Sequence, residues 1–498
     1  MDSSGHRSRY HELSLQLQSL EDSRAVILAQ LADLDARIRL VQAERAAVVP
    51  LNTLPDDVMH LILEEACTHP FARCKSGDSY AKDPAITMSH VSRRWRQLAL
   101  STPKIWKCIH VTVPGPSFYD NIVKLFLSRS AELPLSIILV CLDENLRSID
   151  AVHQRLQLHR AGLVRRCWTL LCTASQRWVS CTLLCNEHPV VDFVQEQLVN
   201  LQFPNLQILH VYFQSCPAWD VSLDPRWSSP SLVDVGVFNV QIPTLYPLLQ
   251  NVVKLTMHEQ PLDVHFLARV SDASPRLAEL ALRDVTFNTE DDLSDPDFVL
   301  AFPRLRRLTM IDSDIDDILR LLEAPQLESL WIQSSDPESY LRGCAPIRAS
   351  TLTELHCVGY ACDRVRELFS PTVTTLEITD IAIHDYLELL MPVRGDQALP
   401  LLHSLTVSYN SLDDFTSQLL LELIKARAEN NSPLRTVRIC APGVPSPPPL
   451  LPKFKAHNVD IETKSPEEPF SLFTNVNPSR LYWHDKPDDG DSGDLEAH

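Results

Sequence analysis

Two clusters in this 498-residue sequence carry residue types that could do chemistry. The first is Cys181, Cys185 and His188, with Cys167 and Cys172 upstream. Thiolates and imidazoles hold zinc, but zinc sites usually present tighter ligand pairs than these, so no metal is expected. The second is HVSRRWRQLALSTPKIWKCIHV at 90–111, where Trp95 and Trp106 stand among Arg93, Arg94, Arg96, Lys104 and Lys107. Basic and aromatic residues interleaved in this way either grip nucleic acid or form the solvated and buried faces of a small helical module.

Charge decides between these two readings. Against 45 Lys and Arg stand 64 Asp and Glu, a net charge of −19. An acidic chain repels phosphate backbones, so no nucleic-acid partner is expected. Catalysis finds no support either. The sequence contains no GxSxG, HExxH or kinase signature set, and no GxGxxG or GxxxxGK[ST] among its 11 glycines. No catalytic residue and no cofactor follow from it, and the chain reads as a non-enzyme.

The elements that must position these residues come in four stretches. Residues 1–49 form a helix. With Leu13, Leu20, Ile27, Leu34, Val41 and Val48 at position d, position a falls on Leu17, Arg24, Leu31, Ile38 and Arg45. Apolar residues sustained at a and d predict a coiled coil, with the two arginines setting register or oligomer state. A homo-oligomer through residues 13–48 is therefore expected. The alternative is one amphipathic helix packed on its own chain.

After Pro50, LNTLPDDVMHLILEEACTHP opens a second stretch. Thr53 suits an N-cap, Pro55 a first turn, and Asp56 and Asp57 the positive end of a helix dipole. Val58, Leu61, Ile62 and Glu65 follow at helical spacing. After HPFARCKSGDSYAKDP, a further helix aligns Val91, Trp95, Leu98 and Ala99 on one face and leaves the arginines on the others.

LPDDVMHLILEEA followed by VSRRWRQLALSTPKIW resembles an F-box, whose pattern opens Leu-Pro-x-acidic-hydrophobic, continues Val-Cys/Ser-x-x-Trp and ends Pro-x-Leu/Ile-Trp. The resemblance spans residues 50–110. It implies a three-helix module that docks on the Skp-type adaptor of cullin ubiquitin ligases, with Leu54, Pro55, Val58, Ile62, Val91, Trp95, Ile105 and Trp106 at the matching positions. Trp95 is open to either core or contact, and Trp106 leans towards core.

Next comes an array. In residues 111–200, WKCIHVTV, LPLSIILVCL and QRWVSCTLLC read as strands between helical segments, the start of a solenoid. Residues 201–441 hold ten copies of a Pro-x-Leu-x-x-Leu-x-Leu unit. Their first apolar positions are Leu206, Leu232, Val252, Leu277, Leu305, Leu327, Leu352, Val373, Leu402 and Leu434, spaced 20 to 32 residues apart. One such unit cannot bury its apolar face alone, whereas stacked units share a core. The pattern resembles leucine-rich repeats and implies a curved solenoid with a parallel sheet on its concave side. An ordinary α/β sheet is the alternative. The fold class expected is thus α/β: N-terminal coiled-coil helix, three-helix F-box, repeat solenoid. Residues 442–498 read as a Pro-rich and then acidic tail, disordered from about residue 484.

Strand alternation then selects a binding face. If Leu330 and Ile332 point inward, Ser329, Trp331 and Gln333 point out. The same rule exposes Lys254, His258, Glu279, Arg283, Arg307, His356 and Glu377, with Trp331 the strongest client-binding candidate. By resemblance the chain is expected to be a substrate-recognition subunit of an SCF-type ubiquitin ligase, bound to adaptor and cullin and holding a protein client. A scaffold without ligase role, or a signalling enzyme without recognisable motifs, are the alternatives. The longest apolar run, about ten residues, is too short to cross a bilayer. Thirteen scattered cysteines and an opening without an apolar leader predict a reducing compartment, cytoplasmic or nuclear.

Overall fold

The computed structural model of the chain describes residues 3–48, 54–68, 83–113, 119–141, 151–185, 193, 201–213, 229–238, 242–258, 261–262, 264–287, 298–313, 315–334, 351–359, 370–379, 383–392, 399–408, 414–440 and 460–464. Two units emerge: Met1–Ala66 with Met88–Thr102, and Cys67–Thr87 with Pro103–His498.

The first unit is helical. Helix α1, Ser3–Val48, runs for 46 residues, about 69 Å at 1.5 Å per residue. Its apolar seam from Leu13 to Val41 is 46–68% exposed. Helix α2 spans Asp56–Thr68. The carbonyl of Pro55 accepts the Met59 N–H at 3.1 Å, and Asp56 and Asp57 occupy the first turn, where the dipole favours them. Thr53 lies outside the described residues. Met59 and Leu63 are the buried stripe of α2. The short helix α3, Pro84–Ser89, straddles the boundary between the two units; it is opened by Asp83, whose Oδ1 accepts the Ala85 N–H at 2.9 Å. Helix α4, Arg93–Ser101, is capped by Ser92, whose hydroxyl accepts the Trp95 N–H at 3.2 Å, and it buries Leu98 and Ala99.

The second unit is built on a parallel sheet of 14 strands, with two small two-stranded ladders beside it. They are β1 Cys108–Val113, β2 Leu135–Cys141, β3 Trp178–Cys185, β4 Ile208–Phe213, β5 Asp234–Phe238, β6 Lys254–His258 and β7 Glu279–Arg283. Then follow β8 Arg307–Ile311, β9 Ser329–Gln333, β10 Glu354–Val358, β11 Thr375–Thr379, β12 Ser404–Ser408, β13 Thr436–Cys440 and β14 Asp460–Lys464. Spatial order equals chain order throughout, so each strand adds on the same side as the last. Parallel crossovers are right-handed. With every step in one direction, that handedness brings the described connecting helices to one face of the sheet.

The connected face holds the core. Registered rows of apolar side chains run through it from Ile109 by way of Leu255, Leu330 and Leu405 to Val437, all buried. Helices cover these rows: α5 Tyr119–Arg129 with Val123 and Phe126, α6 Ala151–Cys172 with Trp168, α7 Val264–Ala273 with Leu267, α8 Ile315–Leu321 with Ile318 and Leu319, α9 Ile383–Leu390 with Tyr386, and α10 Asp414–Glu429 with Leu423. Each fully buried Leu or Ile contributes about 1.5–3 kcal/mol.

All ten first apolar positions of the sequence repeat are buried. Most also close a turn: Leu206, Leu232, Val252, Leu277, Leu305, Leu327, Val373 and Leu402 donate their N–H to the carbonyl three residues back, at 3.0–3.3 Å. The repeat therefore fixes where each strand begins. Side chains tie neighbouring turns together, as Thr351 Oγ1 does to the Leu327 carbonyl at 2.9 Å and Thr372 Oγ1 to that of Leu352 at 2.7 Å. The sheet extends past residue 441: β14 pairs with β13 within the stretch expected to be tail. The segment from residue 484 lies outside the described residues. Among the described residues no helix is long and apolar enough to cross a membrane.

Candidate functional site

The open face of the sheet carries three registered rows. The first reads Asp234, Lys254, Glu279, Arg307, Ser329 and Glu354 across β5–β10. Strands about 4.8 Å apart bring such neighbours into contact, and the charges alternate. Lys254 Nζ lies 3.4 Å from Asp234 Oδ2, and Arg307 Nη1 lies 2.8 Å from Glu279 Oε1. Burial alone would raise the Asp234 carboxyl, but the hydrogen bond from His210 at 3.2 Å and the Lys254 ammonium outweigh it and hold its pKa low. Each such cross-strand pair adds on the order of 0.2–1 kcal/mol.

The middle row contains Trp331, His356 and Glu377 on β9–β11. The Trp331 and His356 rings stack with centroids 4.7 Å apart and planes 19° from parallel. His356 Nδ1 meets Glu377 Oε2 at 2.9 Å. Leu330 and Ile332 face the core and Trp331 is half-buried on the opposite face, so the alternation read from sequence is the one observed. The Trp331 indole Nε1 is buried and has no acceptor among the described residues. The stacked rings, with a carboxylate at one end, form a planar platform on which an extended partner segment can lie.

The third row corrects one expectation. His258 points to the open face as alternation requires, yet it is only 6% exposed. Tyr212, Phe238 and His258 sit on β4, β5 and β6, with ring centroids 6.1–6.2 Å apart, and exclude water from one another. Burial, then the Arg283 guanidinium, pushes the His258 pKa down to about 3. It cannot serve as an exposed client contact. Of the other candidates, Arg307 is exposed, while Lys254, Arg283, His356 and Glu377 are half-buried.

A second surface lies in the first unit. Leu61 and Ile62 on α2 are 66% and 38% exposed, and Val91, just ahead of α4, is 58% exposed. Pro55 is exposed, and Leu54, Val58 and Trp95 are half-buried. Leu61 and the exposed Leu100 had the helical spacing to be noticed but were not among the predicted contacts. Ile105 and Trp106 belong elsewhere. Trp106 is 1% exposed, packs edge-on against Phe126 at 5.0 Å and lies under the Arg129 guanidinium, also at 5.0 Å. Ile105 is equally buried, so both are core of the second unit and not docking contacts.

Two of the basic residues of 90–111 bond within the chain itself. Arg94 Nη2 donates to Asp56 Oδ1 at 2.6 Å and to the Leu54 carbonyl, and Arg96 Nε donates to the Ser89 carbonyl at 2.9 Å. Burial pushes the Cys172 thiol up to about 12 and that of Cys167 to about 11, and it raises that of Cys181 as well. Such thiols are poor nucleophiles and poor ligands. Cys185 is buried too, and His188 lies outside the described residues. Among the described residues no three His, Cys, Asp or Glu side chains gather as metal ligands would. In comparisons with known proteins, no family model matches the chain and no curated protein matches it.

Proposed function

We propose that the chain is a substrate-recognition subunit of an SCF-type cullin ubiquitin ligase. In this reading residues 50–110 are an F-box that docks a Skp-type adaptor. The sheet lines the concave side of a leucine-rich-repeat solenoid that holds a protein client, in the cytoplasm or nucleus.

The observation that carries the proposal is the outward apolar face of α2, Leu61 and Ile62, together with the exposed Val91 ahead of α4. Met59 and Leu63 already satisfy the packing of α2 inside the chain, so Leu61 and Ile62 are surplus to the fold and have the character of an interface centre. Placing a client on the open face is supported by the Trp331–His356–Glu377 platform, which lies opposite the buried Leu330 and Ile332. Ubiquitin transfer then needs no chemistry from this chain, since holding a client lysine near the ligase supplies proximity.

Titration of the full chain with a purified Skp-type adaptor tests the docking half. One-to-one binding is expected, weakened at least tenfold by Ile62→Asp with no fall in thermal midpoint, because Ile62 is not in the core. Equal binding by the variant, or none by either protein, refutes it.

A further inference from the structure

We propose that α1 pairs with α1 of a second copy of this chain, antiparallel, in the register that sets Arg24 of one copy beside Asp35 of the other. This stands independently of the ligase reading. Every described side chain from Leu15 to Gln42 is exposed, so nothing among the described residues covers the apolar seam. A 46-residue helix with apolar a and d positions is built to be covered by another helix.

The polar residue in the seam sets the direction. In a parallel pair, a faces a, and Arg24 of each copy would meet Arg24 of the other inside the seam. In an antiparallel pair, a faces d. Of the heptad registers that place a against d, one sets Leu17 against Val41, Leu20 against Ile38, Arg24 against Leu34, and Ile27 against Leu31. No like charges face each other in any of these layers.

The flanks select the same register. Position e lies about 50° around the helix from a, and an antiparallel pair brings e to e. Glu21 and Asp35 both occupy e. At the level of Arg24 stand Glu21 of its own helix, three residues back, and Asp35 of the second copy. The guanidinium falls between two carboxylates and neutralises what would otherwise be a repulsive edge. The two-fold axis repeats this cluster at the other end, as an isologous interface requires. Near the axis, e brings Leu28 against Leu28 of the second copy, which accounts for an exposed leucine outside the a and d seam. A shift of one heptad carries Asp35 about 10 Å away from Arg24.

Sedimentation equilibrium of the full chain tests the pairing. The wild-type chain is expected to be a dimer, and Arg24→Glu to weaken it at least tenfold. Adding Asp35→Arg to the same chain should restore the dimer, since it rebuilds the bridge with exchanged signs. In a parallel pair these positions lie 11 residues apart and no rescue follows. Leu17→Cys is expected not to cross-link under oxidation, because antiparallel pairing separates the two copies of residue 17. A monomeric wild type, a failed rescue, or a covalent dimer through Leu17→Cys each overturns the proposal. The thermal transition of the sheet serves as the folding control for every variant.

Discussion

Truncating two adjacent residues of β9 separates the two faces of the sheet. Leu330 has no exposed surface and is flanked in its row by Leu308 and Leu355. Leu330→Ala leaves a cavity among them and should cost about 3–4 kcal/mol. Trp331 loses less. Its stack on His356, 4.7 Å away, contributes about 0.5–1.5 kcal/mol. The apolar contact of a half-buried indole, on the order of 100 Å², adds about 2.5 kcal/mol. Truncation also removes a buried N–H without an acceptor, which returns about 1 kcal/mol or more. Trp331→Ala should therefore cost about 2 kcal/mol net. Trp331→Phe keeps a ring over His356 and deletes the unmet donor, so it should fall near zero. Urea unfolding of the purified full chain, followed by circular dichroism, gives all three numbers. If Trp331→Ala costs as much as Leu330→Ala, the indole is core and the open face has been misassigned. A loss above about 1 kcal/mol in Trp331→Phe would mean that Nε1 is bonded in the native protein.

Gly359, at φ +76°, hydrogen-bonds from its N–H to the Thr379 carbonyl at 3.0 Å, and a Cβ there would drive into the Ser334 carbonyl oxygen. Gly359→Ala should thus lower stability by about 2 kcal/mol or more, and calorimetry showing no fall in midpoint would contradict the turn. Acid should destabilise the second unit through His258. The unfolded histidine protonates below about 6.5, while the folded one stays neutral to about 3. Stability is accordingly full above 6.5 and falls as pH drops, by about 1.4 kcal/mol per unit. Asp234, its pKa held low by its partners, adds a loss of the same sign. Unfolding measured at pH 7 and pH 5 should show that drop reduced in His258→Gln, and an equal drop would exclude His258 as its source.

The strands were legible because a buried repeat leaves little freedom. Each unit places its first leucine in a turn and the next two in the core, so Leu327, Leu330 and Ile332 could be read from spacing alone. The direction of a side chain was legible too, but its burial was not. His258 faces the side predicted and is closed in by Tyr212 and Phe238, neighbours in space that lie 46 and 20 residues away in sequence. Strand β14 was hidden because its unit lacks the leading Pro-x-Leu turn; the strand itself, DIETK, holds one strongly apolar residue, Ile461. In the first unit α2 and α4 were readable from their apolar spacing. Which stripe of α2 faces inward was not, since Met59 and Leu63 on one side compete with Leu61 and Ile62 on the other. Trp106 matched a motif position, yet its surroundings are set by Phe126 and Arg129 of α5, which the motif does not include.

Affinity purification of the tagged full chain from cell lysate, beside the Ile62→Asp and Val91→Asp double variant, tests the central claim most directly. A ligase subunit should bring down a Skp-type adaptor and a cullin together, in comparable amounts, and the double variant should lose both while keeping its own yield. Recovery of neither, or of the adaptor without the cullin, would contradict the assignment.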